Sequence, residues 1–145
     1  MDEEMFFGAA YKGSKQYSQR DIKTADATGF GAAADDYAER GIDLNEQLIG
    51  NKPATFFMRV RGDAMIGAGI HDGDIVIVDR SLKATSGKVV IATLNGEMLI
   101  RRLEKTFNKI RLVPETSKLA AIEVDTFNNE FSIWGVVTYA IHATT

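Results

Sequence analysis

The chain has 145 residues, 45% hydrophobic and 26% charged, with a net charge of −3 and a pI near 5.4. That is the size of one domain with room for an arm, and the slight acidity excludes a protein that grips DNA by bulk electrostatics, because phosphate binding needs a basic face. Cysteine is absent, which excludes a disulfide framework, a thiolate metal site and a cysteine nucleophile.

The two histidines, His71 and His142, lie far apart in sequence and show no metal-ligand spacing, so neither a metal nor a cofactor is expected. No apolar run reaches the roughly 18–20 residues of a membrane helix. The start, Met1-Asp2-Glu3-Glu4, is acidic where a secretory signal begins basic. The expected location is the cytoplasm.

In chain order, residues 1–41 come first. Gly8, Gly13, Gly29, Gly31 and Gly41, two alanine runs and scattered charges leave little apolar periodicity, which predicts a flexible N-terminal arm. Ile42 to Ile49 reads as a short helix capped by Asp43, with Glu46 at capping-box spacing and Leu44, Leu48 and Ile49 on one face. Gly50-Asn51-Lys52-Pro53 ends it. Short strands follow at Phe56–Val60, Ile75–Val78, Lys88–Leu94, Met98–Leu103, Lys109–Val113, Ala121–Val124 and Phe131–Ile141. The second is continuous and apolar, so it should be buried on both faces. Asn95-Gly96 is the preferred pair for a two-residue type I′ hairpin, and Asn128-Asn129 marks a turn. Seven strands and one helix predict an all-β domain over residues 42–145. Trp134, Phe57, Phe127 and Phe131 are expected in its core.

One stretch stands apart. Residues 61–79 carry Gly62-Asp63-Ala64-Met65, then Gly69-Ile70, Asp72-Gly73-Asp74 and the apolar strand. This run resembles the active-site segment of the LexA/UmuD family, the self-cleaving serine–lysine proteins of the bacterial DNA-damage (SOS) response, where a serine follows Gly-Asp. Further matches are Ala34-Asp35-Asp36-Tyr37 with Ile42-Asp43-Leu44-Asn45, the segment from Phe56 to Asp79, and Gly135-Val136-Val137. The resemblance spans about Gly29 to Ala143. It is closest to the UmuD branch, which lacks a DNA-binding domain. It implies a peptidase-like domain of short, strongly bent strands with an extended arm. It also implies a homodimer that meets a RecA–single-stranded DNA filament and an error-prone polymerase subunit in translesion synthesis, with no direct DNA binding.

The family's chemistry needs a hydroxyl nucleophile and a neutral lysine as its base. Bringing lysine from its free pKa of about 10.4 to about 7 costs roughly 4.6 kcal/mol, which burial in an apolar pocket supplies. Here the nucleophile position holds Ala64 and the base position Arg101 (or, one residue along, Arg102). Arginine, with a pKa above about 12, is not a general base. The family cuts before a glycine preceded by alanine or cysteine, and the corresponding pair is Thr28-Gly29. A serine replaced to trap the uncut form and a natural loss of catalysis both explain Ala64. Three separated departures favour natural divergence, and either way self-cleavage is expected to be lost.

The remaining expectations concern the surroundings. Gly62, Asp63 and Met65 support the loop, and Asp72-Gly73-Asp74 is a turn rather than a metal loop. Lys83, Lys88, Lys105 and Lys109 are solvated rather than replacement bases. Arg101 would reach solvent, pair with a carboxylate such as Asp63 or Glu97, or bind the arm's carbonyls, the first two being preferred. The function implied is that of a UmuD-like accessory protein acting by binding, possible as a heterodimer with an active homologue. A self-cleaving peptidase with its serine replaced and a repressor-type dimerisation module are the alternatives.

Overall fold

The computed structural model describes residues 42–145, together with the backbone of the short strands at 8–10, 17–19 and 40–42. Among the described residues, ten strands and one α-helix follow in chain order: β1 (Gly8–Ala10), β2 (Tyr17–Gln19), β3 (Arg40–Ile42), α1 (Leu44–Leu48), β4 (Thr55–Arg59), β5 (Ile75–Asp79), β6 (Val89–Leu94), β7 (Glu97–Lys105), β8 (Ile110–Val113), β9 (Ile122–Val124) and β10 (Phe131–Ile141). The arm expected over residues 1–41 lies outside the described residues apart from these strand backbones, as does the Thr28-Gly29 pair.

The chain divides into two compact units, residues 12–50 and residues 1–11 with 51–145. In the smaller unit β2 pairs antiparallel with β3. Asp43 caps α1 as its position predicts, its carboxylate accepting from the Asn45 N–H at 3.0 Å and the Glu46 N–H at 3.4 Å. Of Leu44, Leu48 and Ile49, expected on one face, Ile49 is buried, Leu48 half-buried and Leu44 exposed. A helix of five residues is too short for one stripe to cover both its ends.

The larger unit is a single antiparallel sheet in the order β1-β4-β5-β10-β6-β7-β8-β9. All seven strands expected after Pro53 form. Asn95 (φ 50°) and Gly96 (φ 85°) join β6 to β7 in a two-residue turn, with Leu94 opposite Glu97. Positive φ at both central residues is what the type I′ turn requires.

Both faces of the sheet carry core. Met58, Val60, Ala64, Met65, Ile70, Val76, Val78, Ile91 and Ile100 form one buried cluster. Val90, Ala92, Leu99, Leu103, Leu112, Val124 and Val136 form another. Neighbours along β6 and β7 fall in different clusters, as the two-residue period of a strand dictates. In β5, Val76, Ile77 and Val78 are all buried, as expected of an unbroken apolar strand.

Trp134 and Phe131 pack against these clusters. Phe127 does not and is 97% exposed. It sits in the tight turn at Asp125–Asn129, where Asp125 accepts from the Phe127 N–H at 3.0 Å and its carbonyl accepts from the Asn128 and Asn129 N–H groups. A turn so closed by its own hydrogen bonds leaves the central side chain facing water.

Candidate functional site

The Gly62-Asp63-Ala64-Met65 loop leaves the end of β4 and is folded tightly on itself. Ile66, Ala68, Gly69 and Ile70 donate their N–H groups to the carbonyls of Asp63, Met65, Ile66 and Met65 at 3.0–3.2 Å. Met65 is fully buried and anchors the loop in the first cluster. At the base of the loop the Val60 N–H donates to Asp74 O and the Gly73 N–H to Val60 O, both at 2.8 Å. The Gly62 N–H donates to Asp72 Oδ1 at 2.7 Å. Asp72-Gly73-Asp74 is the expected turn, with Asp74 N–H donating to His71 O at 3.0 Å and Gly73 at φ 87°.

Ala64 is 2% exposed. Its carbonyl accepts from the Glu115 N–H at 2.8 Å, and three residues on the Gly67 N–H donates to the Glu115 carbonyl, also at 2.8 Å. The close approach explains the glycine, since a Cβ at position 67 would lie 2.7 Å from the Glu115 carbonyl oxygen. Glu115 thus braces the loop with its backbone. Its carboxylate holds the next strand, Oε1 accepting from Arg102 Nε at 2.5 Å. Nothing in the spacing around Pro114 signals this brace, which exists only once β8 has carried the chain back to the loop.

The other position of the expected pair is on β7. Arg101 is 3% exposed and lies directly across from the buried Val90. Its Nη1 donates to the Ile100 carbonyl at 2.8 Å. The expectation that this guanidinium reaches solvent is therefore corrected, because Arg101 faces the buried Val90 and shares its side of β7 with the buried Leu99 and Leu103. Ile100, one residue before, packs in the same cluster as Ala64, whereas Arg101 lies on the side of β7 that carries Leu99 and Leu103 of the other cluster. Arg102 is half-buried and held by Glu115 and by the Gly87 carbonyl at 2.7 Å. Every lysine among the described residues, including Lys83, Lys88, Lys105 and Lys109, is exposed. Ala64 presents a methyl group, which attacks nothing.

A second cluster adjoins this loop. His71 Nδ1 lies 3.5 Å from Asp74 Oδ2, and His142 Nδ1 lies 2.6 Å from Asp74 Oδ1. The two imidazole rings stack with centroids 4.3 Å apart. Burial alone would raise the Asp74 carboxyl pKa. The His71 N–H, donating to Oδ2 at 2.8 Å, and the His142 ring outweigh it and hold the group below the usual carboxylate value. Sequence distance had set the histidines apart, and the fold unites them.

Comparison with known proteins agrees with this architecture. The Peptidase S24-like family model matches residues 22–138. The chain is 35% identical to Protein MucA of Salmonella typhimurium over 115 residues, which is 79% of this chain and 78% of that protein. It is 39% identical to Protein SamA of the same species over 116 residues, covering 80% and 79%. It is also 39% identical to LexA repressor 1 of Xanthomonas oryzae pv. oryzae over 110 residues, 76% of this chain and 54% of the repressor.

Proposed function

The chain belongs to the Peptidase S24-like family as a UmuD-like member, and from that premise we propose that it is an accessory protein of SOS mutagenesis that works by binding and does not cut itself. Its partners are a second copy of the chain, a RecA–single-stranded DNA filament and an error-prone polymerase subunit, in the cytoplasm. Among the described residues no helix is long and apolar enough to cross a membrane. Where an active homologue is present, a heterodimer with it is the natural extension, with this chain as the partner that stays whole.

The observation that carries the reading is Ala64. A loop pinned by Glu115, Asp72 and Asp74 ends on a methyl group where the family has its nucleophile. Arg101 adds to it, since a guanidinium keeps its proton and has no basic lone pair to offer. A fold that keeps its loop while its chemistry is gone is one whose remaining task is recognition. The test is intact-mass spectrometry of the purified chain incubated with activated RecA filaments. A mass that never shortens, together with capture of a polymerase subunit from DNA-damaged cells, agrees with this function. A product beginning at Gly29 overturns the non-cleaving part, and capture of a DNA-binding repressor half instead would point to a dimerisation module.

A further inference from the structure

We propose that His71, Asp74 and His142 form a binding site for a divalent transition-metal ion of the zinc type. The potential ligand atoms, two imidazole nitrogens and a carboxylate oxygen, all lie within 4.8 Å of one another. A tetrahedral ion with bonds of about 2.0–2.2 Å holds its ligand atoms roughly 3.3–3.5 Å apart. His71 Nδ1 already stands 3.5 Å from Asp74 Oδ2. His142 Nδ1 and Asp74 Oδ1 are within hydrogen-bond distance at 2.6 Å, so a proton lies between them. A metal ion takes that proton's place once the two atoms separate by about 0.7 Å, a small rotation for a ring at the end of a strand.

Three features distinguish this cluster from a chance meeting of polar groups. First, His71 Nδ1 is buried and has no hydrogen-bond partner among the described residues. A buried ring nitrogen left in that state is costly, and a metal ion would satisfy it. Second, the carboxylate is anchored from behind. Asp74 is 2% exposed, its Oδ2 accepts the His71 N–H at 2.8 Å, and its backbone is tied to Val60 and to His71. Ligating carboxylates need such support to hold their orientation. Third, the rings are 40% and 48% exposed, so an ion has an entry path and water can complete its shell.

The ligand set chooses the metal. Two nitrogens and one oxygen suit zinc, cobalt, nickel or copper, whereas magnesium and calcium prefer oxygen alone. A bound ion would clamp the His71–Asp74 turn to the end of β10. The same turn holds the Ala64 loop through Asp72 and Val60, so occupancy would stiffen that loop.

The test uses the full chain, freed of metal by a chelator and titrated with Zn2+ by calorimetry and with Co2+ by visible absorption. One saturable site is expected, with cobalt bands of nitrogen and oxygen ligation. A rise in Tm with Zn2+ should accompany it. His71→Ala and His142→Ala each remove a partly exposed ring, and each should weaken binding about tenfold or more. The double variant should lose both the cobalt spectrum and the Tm rise. The inference is overturned if the wild-type chain shows no saturable site, if the double variant binds as tightly as wild type, or if Mg2+ binds as well as Zn2+.

Discussion

Restoring the missing pair tests whether the scaffold around Ala64 and Arg101 is still that of a peptidase. The perturbation is Ala64→Ser with Arg101→Lys, made in a Thr28→Ala background so that the cleavage site itself does not limit the rate. Position 101 is 3% exposed, faces Val90 across the ladder and lies between Leu99 and Leu103 on its own side of β7. Desolvation of that degree lowers a lysine pKa from about 10.4 to roughly 5.5–7.5. At neutral pH between about a quarter and nearly all of the amine is then uncharged, against about 0.04% for a solvated lysine. The gain in competent base is therefore on the order of a thousandfold. The sign follows from the lowered pKa: self-cleavage rises with pH through about 5.5–7.5 and is flat above it. Intact-mass spectrometry from about pH 5 to 10, following a product that begins at Gly29, reads the rate. Ala64→Ser without the lysine should be silent at neutral pH. If that variant cuts as fast as the restored pair, the role given to position 101 is wrong. If the restored pair keeps gaining tenfold per pH unit up to about pH 10, the site does not desolvate its base.

Gly67→Ala places a methyl 2.7 Å from the Glu115 carbonyl oxygen, a backbone atom with little freedom to retreat. It should cost about 1–3 kcal/mol, read as a lower urea midpoint at unchanged slope. Phe127→Ser should leave stability within about 0.5 kcal/mol, because the ring contacts solvent rather than core. Asp125→Ala removes a carboxylate whose pKa is held below the ordinary 3.8 by the Asn128 side chain and the Phe127 N–H. Its stabilising effect is complete above that ordinary value and is lost as pH falls through the folded-state pKa. The variant's Tm should therefore lie below wild type at neutral pH and converge with it in acid.

What the sequence disclosed and what it concealed divide along the range of the interactions. The Asn95-Gly96 turn, the cap at Asp43, the turn at Asp72–Asp74 and the buried strand β5 are all decided within a few residues, and each was legible. Ala64 and Arg101 were singled out by a motif, which carries position along with chemistry. Phe127 was misjudged because aromatic character says nothing of which way a closed turn points its middle residue. Arg101 was misjudged because its burial depends on what β6 and its neighbours lay over it, and not on β7 alone.

The histidine cluster shows how far such concealment goes. Along β10, Val136 and Val137 oppose Asp79 and Val78, but Tyr139, Ala140 and Ile141 oppose Ile77, Val76 and Ile75. One residue, Thr138, is extra, and its hydroxyl bonds to the Ile77 carbonyl at 3.2 Å. Continuing the shifted register by one step sets His142 against Asp74, whereas the unshifted register would set Ile141 there. Because side chains alternate across a strand, a slip of one residue moves a whole set to the other face. A bulge is such a slip built into the fold. Without it, the imidazole at 142 would leave the carboxylate, and an apolar side chain would oppose a buried charge. The placement of the second histidine thus rests on the register downstream of a bulge in β10 that no local pattern announces, and inserting one residue after Ala140 should set Ile141 opposite Asp74 in place of His142 while leaving the turn at Asp72–Asp74 in place.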